Sequence, residues 1–247
     1  MSDAESPKGT LELSCEDCMA LMARYPDKHF DLAIVDPPYG IGDRLVDGGG
    51  TNAMIRWQTD YRRTSWDVAP SAEYFRELFR VSKAQIVCGG NYFALRPTRG
   101  VIAWDKKVFV PSMSRWEMFW TSFDCPARLV ELSSMDAARI HPTQKPVKLY
   151  AWLLANYAKP GQRILDTHLG SFSSVIAAAD AGMHMTGCEI DPDYFKAGME
   201  RVTRHLSQQT FQFLGNSTLP SCGTTDRHTQ DSQGDLLFLE NQTTGKA

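Results

Sequence analysis

Nothing in the 247 residues approaches the ~18 consecutive apolar residues that a helix needs to cross a bilayer, which excludes a helical membrane protein. Residues Met1–Thr10 are polar and carry no apolar signal region, so the expected location is cytoplasmic. Cysteine is sparse, six residues in all, and a cytosolic chain with scattered cysteines is not expected to form disulfides. Cys15 and Cys18 make a lone Cys-x-x-Cys without a second pair at zinc spacing. No metal is expected there, and packing of two small side chains is the simpler account. No internal repeat is present, and no Gly-x-Gly-x-x-Gly turn joins a strand to a helix, which argues against a nicotinamide dinucleotide enzyme. Positive charge is not in excess either, the net charge being −3. Its distribution is uneven: residues 80–145 hold ten Lys and Arg against five Asp and Glu, a local +5 that leaves −8 for the rest. That asymmetry permits a basic nucleic-acid-facing surface on an acidic protein.

What remains is ordinary globular material, 43% hydrophobic and 22% charged, long enough for one sizeable core. Short apolar runs predict strands at 11–14, 31–35, 85–88, 101–104, 117–121, 163–165 and 184–188. Amphipathic patterns predict helices at 17–25, 71–81, 147–158, 173–181 and 193–206. Their alternation points to an α/β fold with a doubly wound, mostly parallel sheet and ligands at the carboxyl ends of the strands. The expected organisation is a flexible N-terminus at 1–9, a single catalytic domain at 10–214 and a polar, disordered tail at 215–247. Irregular inserts are expected near 40–67, around Gly48-Gly49-Gly50, and at 125–140.

Asp31–Val35 reads as a buried strand that ends in Asp36-Pro37-Pro38-Tyr39. Prolines lack an N–H and fix φ, so a carboxylate, an outward carbonyl and an aromatic ring can form a clamp for a planar group bearing an NH₂ donor. A strand-ending acid before a proline turn is the bland alternative for this tetrapeptide taken alone. The segment resembles the catalytic motif of the amino-group DNA methyltransferases. That resemblance implies that Asp36 and the Pro37 carbonyl accept hydrogen bonds from the target amine, while Tyr39 stacks on a base rotated out of the duplex.

Further on, Asp166-Thr167-His168-Leu169-Gly170-Ser171-Phe172-Ser173-Ser174 follows a strand and opens a helix, and is similar to that family's cofactor loop. About twenty residues later Glu189 ends the next strand, where an acid can accept both hydroxyls of a ribose; Asp191 is placed to cap the following helix. His141-Pro142-Thr143-Gln144-Lys145-Pro146 resembles the motif preceding the cofactor strand, and implies that His141, Thr143 and Lys145 line the methionine end of the cofactor. Glu16-Asp17-Cys18 resembles a segment placing Asp17 near the cofactor's adenine, although Asp17 reads equally well as a helix N-cap. Cys88–Phe93 and Trp104–Lys106 look like pieces of phage-type members. A catalytic motif ahead of the cofactor motif is the permuted β-class order of a Rossmann-like methyltransferase fold, covering residues 10–205 in fragments.

By this resemblance the cofactor is S-adenosylmethionine, the substrate is DNA, and the product is adenine methylated on its exocyclic amine. Methylation of the cytosine amine stays open, and so does a restriction endonuclease partner. With no large target-recognition domain evident, Arg56, Arg62, Arg63 and Arg128 of the two inserts are expected to contact DNA. One departure stands out: relatives usually carry Gly-Ser-Gly where this chain has Gly170-Ser171-Phe172. A Phe held at positive φ costs about 1–2 kcal/mol, and a ring turned inward is expected to impair cofactor binding in part. A cofactor-impaired DNA-binding relative is therefore the rival of a different class.

Overall fold

The computed structural model describes residues 9–41, 67–108, 114–134, 140–141 and 143–215, with the backbone alone from 209 onward. Its strands are β1 (Leu11–Cys15), β2 (Phe30–Val35), β3 (Ser82–Cys88), β4 (Val101–Asp105), β5 (Trp116–Thr121), β6 (Arg128–Glu131), β7 (Arg163–Asp166) and β8 (His184–Glu189). They form one sheet in the order β1-β8-β7-β2-β3-β5-β4-β6. All neighbours pair in parallel except β5, which runs antiparallel to β3 and β4. The helices are α1 (Cys18–Ala23), α2 (Ala72–Val81), α3 (Val147–Tyr157), α4 (Ser173–Asp180) and α5 (Pro192–Gly215).

Strand β2 is apolar on both faces because both are covered. Leu32 and Ile34 join a core with Leu149, Leu153, Val175 and Val202 of α3, α4 and α5. Ala33 and Val35 point the other way, against Leu21 and Met22 of α1 and Leu78 and Val81 of α2. A parallel strand buried on both sides reads as a continuous hydrophobic run, which is why this element was legible. The helix starts are equally local: Asp17 accepts from the Met19 and Ala20 amides, and Ser71 from the Tyr74 amide. Each side-chain oxygen satisfies donors that the first turn leaves unpaired.

Two expectations need correction. Residues 125–140 are not wholly irregular, since Arg128–Glu131 form β6, parallel to β4 at the sheet edge. Val130 alone of the four is buried while Leu129 is 62% exposed, so no alternation marks the strand. Its place is fixed by ladder bonds and by the Trp104 indole N–H donating to the Leu132 carbonyl at 2.8 Å. Helix α5 also continues to Gly215, beyond its expected end at Leu206. Of the expected flexible start at 1–9, insert at 40–67 and tail at 215–247, residues 1–8, 42–66 and 216–247 lie outside the described residues, and Gly215 ends α5.

The sheet places the chemistry. The chain leaves β2 toward β3 on one side and β7 toward β8 on the other, so a crevice opens at the carboxyl ends of β2 and β7. Asp36 follows β2 there, and Asp166 ends β7.

Candidate active site

Beyond β2 the diproline keeps the chain extended and returns Tyr39 over Asp36, where the phenol O–H donates to Asp36 Oδ1 at 2.9 Å. The second carboxylate oxygen takes Lys145 Nζ at 2.5 Å. Lys145, only 4% exposed in its side chain, also reaches Tyr39 Oη at 3.2 Å and Glu117 Oε2 at 3.3 Å. Glu117 in turn pairs through Oε1 with Lys106 at 2.6 Å. Four charged side chains, Asp36, Lys145, Glu117 and Lys106, thus make a neutral chain at the mouth of the crevice, with Lys145 buried and the other three partly buried. Burial opposes the Lys145 charge, but Asp36 and Glu117 outweigh it and hold the ammonium well above the ordinary lysine value. For Glu117 burial raises the carboxyl, and Lys145 and Lys106 more than offset that, leaving it below its usual value. The Tyr39 hydroxyl is pushed well up by burial and by the Asp36 and Glu117 carboxylates, so it stays a proton donor.

Tyr39 has a second neighbour. The Tyr92 ring, 42% exposed, stacks on it with centroids 4.7 Å apart and planes 13° from parallel. Gly89 admits this arrangement: its φ is +65°, and a Cβ there would lie 2.4 Å from the Tyr39 ring.

On the β7 side, Asp166 is buried and accepts from Ser174 Oγ at 2.6 Å and the His168 amide at 3.0 Å. Burial drives its carboxyl up to about 7 against those two donors, with Asp36 and Glu189 adding to the rise. Thr167 bonds the Tyr74 hydroxyl at 2.7 Å and His168 Nδ1 at 2.9 Å, beneath the loop. Gly170 takes φ +50°, and its amide donates to Glu189 Oε2 at 2.8 Å; the Asp191 amide donates to Oε1 at 3.0 Å. Burial also raises the Glu189 carboxyl. Asp191 caps α5, accepting from the Asp193 and Tyr194 amides. Ser171 and Ser173 are buried and bonded to one another, and Arg201 Nη1 donates to the Ser171 carbonyl and to Ser173 Oγ.

The segment at 141–146 links the two halves. His141 packs edge-on against Tyr194 beside Gly170, and its Nδ1 meets the Thr143 amide and hydroxyl. Four residues on, Lys145 reaches Asp36. The structure therefore brings together Asp36, Tyr39, His141, Thr143, Lys145, Asp166, Thr167, Gly170, Ser171, Ser173, Ser174 and Glu189 around one crevice, with Asp17 and Asp191 as helix caps at the starts of α1 and α5. Arg128 is not brought there. It begins β6 at the opposite end of the sheet, three residues before Glu131, and lies over the Tyr157 ring while bonding Asn156. Arg56, Arg62 and Arg63 lie outside the described residues.

Phe172 corrects a further expectation. It does occupy the left-handed region, at φ 62° and ψ 23°, so the strain is real. Its ring is fully buried among Val175, Ile176 and Val202, edge-on to Phe195 and over Gly198 of α5, rather than turned inward at a ligand. Room for it exists because residue 198 is a glycine. Sequence reasoning missed Glu117, Lys106 and Tyr92 as members of the site. Only the Trp104–Lys106 and Cys88–Phe93 fragments hinted at two of them.

A model of the N6/N4 methyltransferase family, described as DNA methylase, matches residues 98–200. The chain is 26% identical over 211 residues to "Putative methylase YubD" of Escherichia coli (strain K12), spanning 75% of this chain and 87% of that protein. It is 36% identical over 77 residues to DNA adenine methyltransferase YhdJ of the same organism, spanning 30% of this chain but 26% of that one. Among solved structures, the cytosine-N4-specific PvuII DNA methyltransferase superposes with a TM-score of 0.55 at 14% identity, over 83% of this chain and 95% of that one. The complex of M1.HpyAVI with S-adenosylmethionine gives 0.50 at 14% identity, over 78% and 99%. These two matches show the shared fold. The family match and the sequence relatives make the chain similar, over part of its length, to N6/N4 DNA methyltransferases.

Proposed function

We propose that the protein methylates the exocyclic amine of adenine in DNA, using S-adenosylmethionine, after the target base is rotated out of the duplex. The observation that carries this is the Asp36–Tyr39 clamp, set at the crevice mouth beside the Asp166 and Glu189 carboxylates.

The residues fit the cofactor. Asp166 and Glu189 put two carboxylates in the crevice beside Asp36, which Lys145 already neutralises, and burial raises both carboxyls, which favours a cationic guest. Glu189, whose two oxygens each accept one backbone N–H, keeps lone pairs for the hydroxyls of a ribose. Gly170, with His141 beside it, lets the backbone approach closely. When bound, S-adenosylmethionine supplies an electrophilic methyl group on a cationic sulfur.

The chain's own residues do the rest. An aryl amine is a weak nucleophile because its lone pair is conjugated with the ring. Hydrogen bonds from the amine to Asp36 and the Pro37 carbonyl favour a tetrahedral nitrogen and stabilise the positive charge it acquires, and the nitrogen then sheds one proton through Asp36 to water to give the neutral methylated amine. Tyr39 orients the base plane, and the fixed crevice holds the two reactants at attack distance. Lys145 and the Tyr39 hydroxyl keep the Asp36 carboxylate from rotating.

Asp36 is equally compatible with a cytosine amine, the substrate named for the PvuII structure. Incubation of long, unmethylated, mixed-sequence DNA with methyl-tritiated S-adenosylmethionine, followed by digestion to nucleosides, tests both. Label in N6-methyladenine is expected; label confined to N4-methylcytosine selects the second reading, and none refutes the function. Asp36→Ala is expected to abolish transfer while S-adenosylmethionine affinity, read by calorimetry, stays within about threefold.

A further inference from the structure

We propose that Glu117 is a positioning residue that balances the charge of Lys145 and Lys106, so that Asp36 can support a developing cation. The proposal rests on the amine-methylation reading of the same site. Glu117 lies outside every motif discussed above. It reaches the site because β5 runs antiparallel to its neighbours, which puts the start of that strand at the carboxyl ends of the others. There it pairs in register with Trp104, one residue before the end of β4.

The geometry ties it to the clamp through Lys145 Nζ, and the Tyr39 hydroxyl also donates to Glu117 Oε2 at 3.5 Å. Lys145 Nζ sits 2.5 Å from Asp36 and 3.3 Å from Glu117, and Lys106 closes the chain on the other Glu117 oxygen at 2.6 Å. The four charges sum to zero. An amine that gains a methyl group becomes more positive at nitrogen, and fixed charges partly shielded from water act on that change more strongly than they would in bulk solvent. Without Glu117, two ammonium groups would face one carboxylate. The surplus positive charge would oppose the reaction and hold Lys145 on Asp36 alone. With Glu117 present, Lys145 has a second carboxylate within reach when the amine takes up Asp36.

Glu117→Gln keeps the shape and removes the charge. In the tritium assay on unmethylated mixed-sequence DNA, kcat is expected to fall roughly tenfold to a hundredfold. KM for DNA and S-adenosylmethionine affinity are expected to stay within about threefold. The double variant Glu117→Gln with Lys106→Met returns the site to neutrality and is expected to recover most of the loss. Unchanged kcat in the single variant would overturn the proposal while the methylation reading stands. So would a loss that the double variant does not recover, since Glu117 would then be a geometric prop. A wild-type protein that transfers no methyl group would overturn the reading and this inference together.

Discussion

Gly198→Ala is expected to have opposite effects in two backgrounds. In the native protein a Cβ at 198 would lie 2.0 Å from Phe172 Cδ2 and 2.4 Å from Cε2. That ring cannot retreat, being fully buried against α5 at a residue already held in the left-handed region. Overpacking costs about 1–3 kcal/mol, against about 1 kcal/mol gained by replacing a helical glycine with alanine. The substitution alone is therefore expected to destabilise by up to about 2 kcal/mol. Phe172→Ala removes a buried ring and should cost about 3–5 kcal/mol, with no strain relieved because alanine at positive φ is strained as well. In that background the new methyl enters the vacated space, so Gly198→Ala should stabilise by about 1 kcal/mol. Urea denaturation of the four proteins yields the coupling, expected to be about 1–3 kcal/mol. Additivity within about 0.5 kcal/mol would refute the packing argument. Calorimetry on Phe172→Ala supplies a second check. S-adenosylmethionine affinity within about threefold of wild type is expected, and tightening by tenfold or more would show that the ring obstructs the cofactor after all.

Asp166 makes a pH prediction. Its carboxyl is raised to about 7 in the fold by burial, above the unfolded value near 3.8, so its contribution to stability is greatest below about pH 4 and is lost as pH rises to about 7. Asp166→Asn is expected to remove that decline, gaining most relative to wild type at pH 8; parallel stability curves from pH 4 to 8 would refute it. Tyr92→Ala uncovers the face of Tyr39 that a flipped base needs, and is expected to lower KM for DNA about twofold to tenfold, with Tyr92→Phe unchanged. A raised KM in the Ala variant would show instead that Tyr92 supports the base.

Much of this protein could be read from its sequence because the information was local. Asp36, Asp166 and Glu189 each stand at or just past the end of a buried strand, and an apolar run followed by an acid and a turn-forming Pro or Gly is visible within ten residues. The capping of α1 by Asp17 and of α5 by Asp191 was equally open, since a cap bonds amides two and three residues away. Contacts between distant residues were not. Lys145 meets Asp36 across 109 positions, and nothing near either residue announces the other. Glu117 enters the site only because one strand is reversed, a property of the whole sheet. Residues 128–131 became a strand because β4 offered an unpaired edge, which drew Arg128 to the far end from the clamp. Phe172 breaks the expected pattern in its own loop, and whether that break would harm the site depended on a glycine 26 residues later in another helix. Backbone conformation follows from neighbours in the chain, but charge pairing and side-chain room follow from neighbours in space, and only the packed sheet and helices determine who those are.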